Sequence, residues 1–314
     1  MTERIHVTVL SGYLGSGKTT IINNALSQPH GLRLAVLVNE FGPINIDASL
    51  ITSQREQVIE LSNGCVCCSI GDDLGAALTL LQAREDPPEH VLMEASGVAE
   101  PARIAMTVGY WPGFALDATV VAADTETIRT RAQDKYVGRL VQSQLRSADI
   151  IALTKTDLVS HDSVTATQSW LGTVAQYARI VHTPHGRLPI EILCGPVPIQ
   201  PTSAHQSTLD QHHAFSTVAL RPDGPVDLIQ LQIDLGALPT NVHRVKGFVI
   251  DAATGQSKLV QCVGKRCNIT SIPNGVEPCL VLISTATQEY LEHIAQNLET
   301  TWRITKPPGT QNTL

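Results

Sequence analysis

A glycine-rich segment near the start of the chain has the residue types and spacing that bind nucleotide phosphates. It reads GYLGSGKT at positions 12–19 and matches the pattern G-x-x-x-x-G-K-[ST] in full, between a predicted strand and a predicted helix. Glycines there let backbone N–H groups turn toward phosphate oxygens, and the helix adds the positive end of its dipole. An ordinary glycine-rich turn is the alternative, which the four fixed positions disfavour. The expected nucleotide contacts are Gly12, Gly15, Ser16, Gly17, Lys18, Thr19 and Thr20.

The motif also assigns separate roles to two of these side chains. Lys18 is expected to reach the β- and γ-phosphates, and the Thr19 hydroxyl is expected to bind Mg²⁺. A carboxylate on the Mg²⁺ side completes such sites, and Glu94 follows the apolar run VLM at 91–93. Gly97, three residues later, is expected to offer its N–H to the γ-phosphate. Glu94 in solvent is the alternative, and beside the cradle we predict instead that Lys18, Thr19 and Glu94 carry the catalysis.

A second segment, Thr154-Lys155-Thr156-Asp157, has the form of a guanine-reading sequence. It resembles N-K-x-D, in which the Asp carboxylate accepts the N1–H and exocyclic N–H of guanine and the Lys stem lies along the base. Adenine has no such donor pair, so Asp157 would be left with an unpaired charge and GTP is the expected nucleotide. Thr154 stands where the motif has Asn.

Three of the seven cysteines lie within four positions, at Cys65, Cys67 and Cys68. Residues this close rarely meet disulfide geometry, whereas three thiolates on a turn can hold one tetrahedral Zn²⁺ or Co²⁺ with a fourth ligand. Glu40 is the expected fourth ligand, with a nucleotide-sensing or solvated role as the alternatives. Three buried or redox-active thiols are the alternative for the cluster. The dispersed cysteines are expected to be small core or loop residues: Cys194, Cys262, Cys267 and Cys279.

Composition narrows the class of protein. The chain has 314 residues, 43% of them hydrophobic and 16% charged, with a net charge of −7. This length predicts about two domains. No run approaches the roughly 18 apolar residues of a membrane span, and no secretory leader is visible at the start. We therefore expect a cytoplasmic protein with no membrane and, lacking a basic cluster, no nucleic acid partner. An odd number of cysteines in a reducing compartment argues against a full disulfide framework.

The order of the predicted elements divides the chain in two. Residues 1–200 alternate apolar strands with amphipathic helices, which predicts an α/β P-loop NTPase domain with a mainly parallel sheet. Residues 201–215 form a proline- and histidine-bearing linker, whose three histidines, His205, His212 and His213, either pass on a metal ion or have no role. Residues 216–308 predict a smaller α+β domain, followed by a tail at 309–314. A single helix is predicted over 134–148.

Taken together, the motifs resemble those of the CobW-type GTPases. The resemblance rests on GYLGSGKTT, VNEFG, GCVCC, EASGVAEP and TKTD in this order, and on HRVKGF at 243–248, which is similar to the R-x-K-G-F signature of the family's C-terminal domain. It implies a P-loop GTPase domain, Zn²⁺ or a similar ion on the three clustered cysteines, and metal retention controlled by GTP. Two departures are Pro43, where many members have an acid, and Thr154.

These observations predict a GTP-hydrolysing metallochaperone. It would hold a divalent transition metal, zinc first and cobalt second, and deliver it to a client apo-metalloprotein, acting alone or as a homodimer. A metal sensor or buffer with incidental GTPase activity, a cobalt-handling protein of cobalamin biosynthesis and a small-molecule kinase are the alternatives. Arg129 or Arg131 is a candidate for a charge-stabilising arginine in the same chain.

Overall fold

A computed structural model describes residues 4–28, 31–38, 58–60, 70–195 and 215–304. The chain separates into two compact units, Met1–Val197 and Pro198–Leu314. The predicted linker at 201–215, apart from Phe215, and the predicted tail at 309–314 lie outside the described residues. Among the residues that are described, no helix is both long and apolar enough to cross a membrane.

A parallel sheet forms the centre of the first unit. Seven strands are described, in the order β3-β2-β4-β1-β5-β6-β7, and every described strand pair runs parallel. Strands β2, β4 and β6 are buried at every residue, as expected where helices cover both faces of a sheet. The predicted α/β fold is confirmed. The strands are β1 (Ile5–Ser11), β2 (Leu34–Val38), β3 (Val58–Glu60), β4 (His90–Glu94), β5 (Phe114–Asp124), β6 (Ile150–Thr154) and β7 (Arg179–Thr183).

The helices of this unit differ from the prediction. Three were not predicted, at 101–110, 128–133 and 190–194, and the helix predicted over 134–148 is shorter, at 138–146. Asp134 lies between the helices at 128–133 and 138–146: its carboxylate accepts the backbone N–H groups of Tyr136 (2.8 Å) and Val137 (3.0 Å), a turn that competes with helix formation. The N–H of Val137 and then that of Tyr136 lower the pKa of Asp134. The helices are α1 (Lys18–Ser27), α2 (Ile70–Gln82), α3 (Pro101–Tyr110), α4 (Ile128–Gln133), α5 (Gly138–Arg146), α6 (His161–Val174) and α7 (Ile190–Cys194).

The second unit is an antiparallel sheet with helices, which confirms the predicted α+β domain. Its five described strands follow the order β11-β10-β9-β12-β8. Its apolar core includes Leu231, Leu291 and Trp302 from the helices and Val245 and Leu282 from the strands. The elements are β8 (Ser216–Leu220), α8 (Leu228–Gly236), β9 (Val242–Ile250), β10 (Ser257–Val263), β11 (Arg266–Ser271), β12 (Cys279–Ser284) and α9 (Gln288–Ile304).

The dispersed cysteines are only partly as expected. Cys194 is buried and Cys279 is half-buried, and neither forms a disulfide, so both are small residues of the packed structure. Cys262 and Cys267 instead form a disulfide. They are direct partners in the β10–β11 register, so the short hairpin places them together. The expectation that these two residues are ordinary core or loop residues was wrong.

Candidate functional site

The glycine-rich segment forms a backbone cradle between β1 and α1. Gly12, Gly15 and Gly17 all have positive φ, at 138°, 75° and 92°. A side chain at Gly12 would collide with the carbonyl of Ala122 and with the hydroxyl of Ser16. The cradle therefore depends on glycine at this position, because only a residue without Cβ lets the loop pass this close to β5.

Two side chains of the cradle are buried with their polar atoms close to the loop. Lys18 is 7% exposed, and its ammonium donates to the carbonyl of Gly12 at 3.0 Å. The Ser16 hydroxyl is buried and has no hydrogen-bond partner among the described residues. A buried donor without a partner is costly, and phosphate oxygens would satisfy it. Thr19 is half-buried and Thr20 exposed in the first turn of α1. These residues fit a bound nucleoside triphosphate.

Glu94 and Gly97 lie directly beside this cradle. Glu94 ends β4, is 2% exposed and is the register partner of Leu10 on β1. The N–H of Ala95 donates to the carbonyl of Leu10 at 2.8 Å. A Cβ at Gly97 would lie 2.9 Å from the backbone nitrogen of Leu14, so the two loops touch. The carboxylate and the glycine predicted for the γ-phosphate side therefore meet the cradle at the carboxyl edge of the sheet, where ligands bind in open α/β folds.

A glutamine that the sequence did not single out holds the Gly97 segment. Gln144 on α5 is 1% exposed, and its side-chain amide donates to the carbonyls of Gly97 (3.1 Å) and Ala99 (2.9 Å). In the sequence Gln144 is one polar residue of an amphipathic helix, and nothing marks it. Its role depends on a contact across more than forty residues, which only the folded chain shows.

We expect the Gln144→Leu variant to hydrolyse GTP about tenfold more slowly, because the loop bearing Gly97 loses its two anchoring hydrogen bonds and misplacement of a catalytic loop is costly. Leaving these carbonyls unpaired should also lower the free energy of unfolding by about 1–3 kcal/mol. Steady-state phosphate release and urea unfolding measure the two effects. Gln142→Leu is the matched control, since Gln142 lies on the same helix but donates to Ala132 at 2.8 Å. Equal hydrolysis rates in the two variants would contradict the prediction.

Thr154 stands where the N-K-x-D pattern has Asn, and its hydroxyl contacts two backbone carbonyls. Its hydroxyl lies 2.8 Å from the carbonyl of Ser16 and 3.2 Å from that of Ala123. It therefore links the end of β6 to the phosphate cradle and to β5. A short hydroxyl suffices because the cradle approaches closely: a Cβ at Gly17 would contact the Thr154 side chain at 3.7 Å.

Lys155, the lysine of the guanine-reading sequence, forms an ion pair with Asp124. Lys155 has a left-handed backbone, with φ of 57°, and its ammonium lies 2.8 Å from Oδ2 of Asp124. The other oxygen of Asp124 accepts the N–H of Glu126 at 3.0 Å. Asp124, at the end of β5, was not predicted as a site residue. It holds the Lys155 head group, which fixes the direction of the lysine stem.

Asp157 is engaged by a residue from another loop. Its Oδ1 accepts the backbone N–H of His185 at 3.0 Å, and its Oδ2 lies 3.0 Å from Nδ1 of the same residue. The His185 N–H lowers the pKa of Asp157, so the side chain remains a carboxylate and retains the acceptors that guanine would require.

The two arginines considered for charge stabilisation differ in position. The Arg131 guanidinium lies 4.9 Å from the centre of the Tyr13 ring, which places it against the glycine-rich loop. Arg129 is exposed. Of the pair, Arg131 is therefore the residue next to the cradle.

The predicted metal ligands lie outside the described residues. These are Glu40, Cys65, Cys67 and Cys68, and the linker histidines are outside them as well. Among the described residues, no group of three or more His, Cys, Asp or Glu side chains is arranged to hold a metal ion. The described strands nevertheless show where the segment that carries the three cysteines, residues 61–69 (the cysteine segment), begins. Register pairs Val38 with both Glu60 and Glu94, so the segment leaves β3 at the carboxyl edge of the sheet.

Comparison with known proteins finds relatives and solved structures to which this chain is similar. A zinc chaperone CobW from a Sinorhizobium species is 26% identical over 309 residues, covering 84% of this chain and 86% of that protein. The zinc-regulated GTPase metalloprotein activator 1 of Dictyostelium discoideum is 31% identical over 227 residues, 60% of this chain and 48% of that protein. The crystal structure of the Zn(II)-bound YjiA GTPase from E. coli is 20% identical, with a TM-score of 0.48 over 95% of this chain and 99% of that one.

Family models cover both units. The model described as CobW/HypB/UreG, nucleotide-binding domain, matches residues 6–182, which is more than half of the chain. The model of the cobalamin synthesis protein cobW C-terminal domain matches residues 215–301. The resemblance inferred from the motifs is confirmed, and the chain belongs to the CobW/HypB/UreG family, with a CobW C-terminal domain after its nucleotide-binding domain.

Proposed function

We propose that this protein is a GTP-hydrolysing metallochaperone, which binds a divalent transition metal through Cys65, Cys67 and Cys68 and delivers it to a client protein under nucleotide control. One observation carries the proposal. The phosphate cradle, Glu94 and the start of the cysteine segment all lie at the carboxyl edge of one parallel sheet. Relatives that match most of this chain are named zinc chaperones, which supports zinc as the cargo.

The residues of the cradle divide the work of nucleotide binding. Ser16, Lys18 and the backbone N–H groups of the loop would hold the phosphates, and Thr19 with Glu94 would lie on the Mg²⁺ side. Mg²⁺ neutralises charge on the β- and γ-phosphate oxygens when it is bound. Gly97 would contact the γ-phosphate, and its loop touches Leu14 of the cradle. Hydrolysis would remove that γ-phosphate contact, and Gln144 would transmit the change to α5.

The base is expected to lie between Lys155 and Asp157. Asp124 holds the Lys155 ammonium at 2.8 Å, so the lysine stem is directed along one face of the base. Asp157 supplies two acceptor oxygens for the N1–H and exocyclic N–H of guanine. Adenine would leave them unpaired, so the arrangement favours GTP over ATP.

The cargo couples to this cycle through the position of its ligands. Cys65, Cys67 and Cys68 connect β3 to α2, and β2 lies between β3 and β4, the strand of Glu94. Closure of this edge on GTP would organise the thiolates around the ion, with Glu40 as the proposed fourth ligand. Loss of the γ-phosphate would loosen them and release the ion. Zn²⁺ suits three thiolates, and Co²⁺ shares its tetrahedral chemistry.

We also propose how the rest of the chain takes part. The nucleotide and metal functions would lie in residues 1–200, and the domain at 216–308, with the linker, would contact the client. A homodimer is a further proposal, and the expected location is the cytoplasm. Arg131, against Tyr13 at 4.9 Å, is the arginine that would stabilise charge in hydrolysis.

The decisive experiment titrates the purified protein with Zn²⁺ in the presence of a GTP analogue, GDP or no nucleotide. Linkage requires the nucleotide to tighten metal binding by the same factor by which the metal tightens nucleotide binding. We expect at least about tenfold tighter zinc binding with the GTP analogue than with GDP, a coupling in the usual range. Cys67→Ala should abolish the tight site, whereas Cys279→Ala, which removes a free half-buried thiol elsewhere, should not.

Three outcomes of this experiment separate the alternatives. Equal zinc affinity with the GTP analogue and with GDP would overturn nucleotide control and leave a metal buffer. Tighter binding of Co²⁺ than of Zn²⁺ in the same titration would reassign the cargo. A preference for ATP over GTP in competition would instead point to a kinase.

A further inference from the structure

The guanine-reading carboxylate is bonded at both oxygens by one residue from a different loop. His185 donates its backbone N–H to Oδ1 of Asp157 at 3.0 Å, and its Nδ1 lies 3.0 Å from Oδ2. His185 is in the turn after β7, far from Asp157 in sequence. Neither the motif analysis nor the proposed function gives it a role.

The two contacts on Asp157 come from different groups of His185. The backbone N–H holds Oδ1, and the imidazole holds Oδ2. Guanine presents two neighbouring N–H donors, N1–H and the exocyclic amine, to the two oxygens of such a carboxylate, as paired donors do in bidentate contacts. The imidazole and the base therefore compete for Oδ2.

The surrounding contacts show which part of His185 can leave. Its side chain is 65% exposed, against 18% for Asp157, so the imidazole can rotate into solvent. The backbone of the turn is held instead: the Asn24 amide on α1 donates to the His185 carbonyl at 3.0 Å, and Gly186 packs against Thr20 on the same helix. His185 itself has a φ of 52°, a conformation that His and Asn tolerate better than most residues.

We propose that His185 is a specificity-determining gate, whose imidazole occupies Oδ2 of the guanine-reading Asp157 until an N–H donor of guanine displaces it. Adenine presents an acceptor at this edge and cannot replace the imidazole, so the gate adds to the discrimination by Asp157. The gate also weakens the binding of guanine nucleotides, because the imidazole contact with Asp157 must break before the base can bind. The inference rests on the proposed function in one respect, that Asp157 reads guanine.

The test measures binding of a fluorescent GDP by stopped-flow to the full chain and to variants of His185. His185→Ala should bind GDP about two- to fivefold more tightly, a range set by the modest strength of exposed ion pairs, and mainly through a faster association rate constant. His185→Asn keeps both a side-chain N–H donor and tolerance of this backbone, so it should stay close to wild type. His182→Ala is the matched control and should leave both rate constants unchanged. His182 lies on β7, just before the turn of His185, and its imidazole contacts Gln168 on α6 at 2.8 Å.

Unchanged or weaker GDP binding by His185→Ala would overturn the gate, the latter by showing that His185 orients Asp157 for the base. Asp157→Asn separates this failure from failure of the proposed function. If Asp157 reads guanine, this variant loses GDP and gains xanthosine diphosphate, whose base presents the complementary groups. Retention of wild-type GDP binding by Asp157→Asn would refute guanine reading and the gate together. A shift to xanthosine diphosphate combined with an unchanged His185→Ala would refute the gate alone.

Discussion

The Lys18→Ala variant is expected to bind GTP at least about a hundredfold more weakly than the wild-type chain and to lose measurable hydrolysis. The Lys18 ammonium is buried at the first turn of α1 and lies 3.0 Å from the carbonyl of Gly12, inside the cradle. Hydrogen bonds to charged groups are worth roughly 1.5–3 kcal/mol each, and two phosphate contacts together account for the expected loss. Isothermal titration with a GTP analogue measures it.

A matched variant shows whether the effect belongs to the cradle. Lys135→Ala removes the same charge from an exposed position, where the ammonium lies 5.7 Å from the Tyr136 ring centre, and should bind GTP as the wild type does. Circular dichroism should show both variants folded. A Lys18→Ala protein that is folded and binds GTP within about threefold of wild type would exclude this loop as the phosphate site.

The shape of the glycine-rich cradle could be predicted because its residues are neighbours in sequence. The cradle from Gly12 to Thr19 is a single turn whose geometry depends on local glycines, so the pattern alone indicates its shape. The position of Glu94 was also predictable, since a buried apolar strand ends with it at the carboxyl edge of the sheet. The structure adds that Gly97 touches Leu14, a contact between two loops that neither motif specifies.

The residues that position the site could not be predicted, because each acts through a distant contact. Gln144 reaches Gly97 across 47 positions, Asp124 reaches Lys155 across 31, and His185 reaches Asp157 across 28. Side chains of these types are common on surfaces, so their sequence context has no distinctive pattern. Only the order of β4, β1, β5, β6 and β7 in the sheet brings them together.

Secondary structure could be predicted from the sequence where one pattern favoured a single element. It could not be predicted where two patterns favoured different structures. Buried strands such as β4 and β6 are apolar over most of their length in the sequence. The helix predicted over 134–148 is present but begins only at Gly138. Apolar spacing favoured an earlier start, whereas Asp134 favoured a turn, which two backbone hydrogen bonds to its carboxylate stabilise. The Cys262–Cys267 disulfide was missed because its partners meet only through the β10–β11 register.

The glycine of the R-x-K-G-F signature leads to the second large expected effect, the Gly247→Ala variant. Gly247 lies on β9 with φ of 155°, and a Cβ there would overlap the carbonyl of Cys279 on β12 and lie 2.8 Å from Cα of Leu280. Both atoms belong to the backbone of β12, so β9 and β12 would have to move apart to accept the added methyl group. We expect the C-terminal domain to lose about 2–5 kcal/mol of stability from overpacking together with an unfavourable backbone angle.

Tryptophan fluorescence gives a readout confined to that domain. Of the three tryptophans in the sequence, Trp302 is the one in the C-terminal unit, where it is 5% exposed and its Nε1 donates to Asp234 at 2.8 Å. Urea unfolding is therefore followed in a background in which Trp111 and Trp170 are replaced by Phe. This separates the unfolding of the second unit from that of the first, which matters because two-domain chains need not unfold in one step.

Gly255→Ala distinguishes the two causes of the loss. Gly255 also has positive φ, at 67°, but a Cβ there would meet nothing within 4 Å. This variant should therefore lose stability only through the backbone conformation, by roughly 1–2 kcal/mol. A larger loss at Gly247 would then measure the strand contact by difference. Equal losses would show that β9 and β12 adjust to a methyl group without cost, and the signature glycine would be explained by its backbone angle alone.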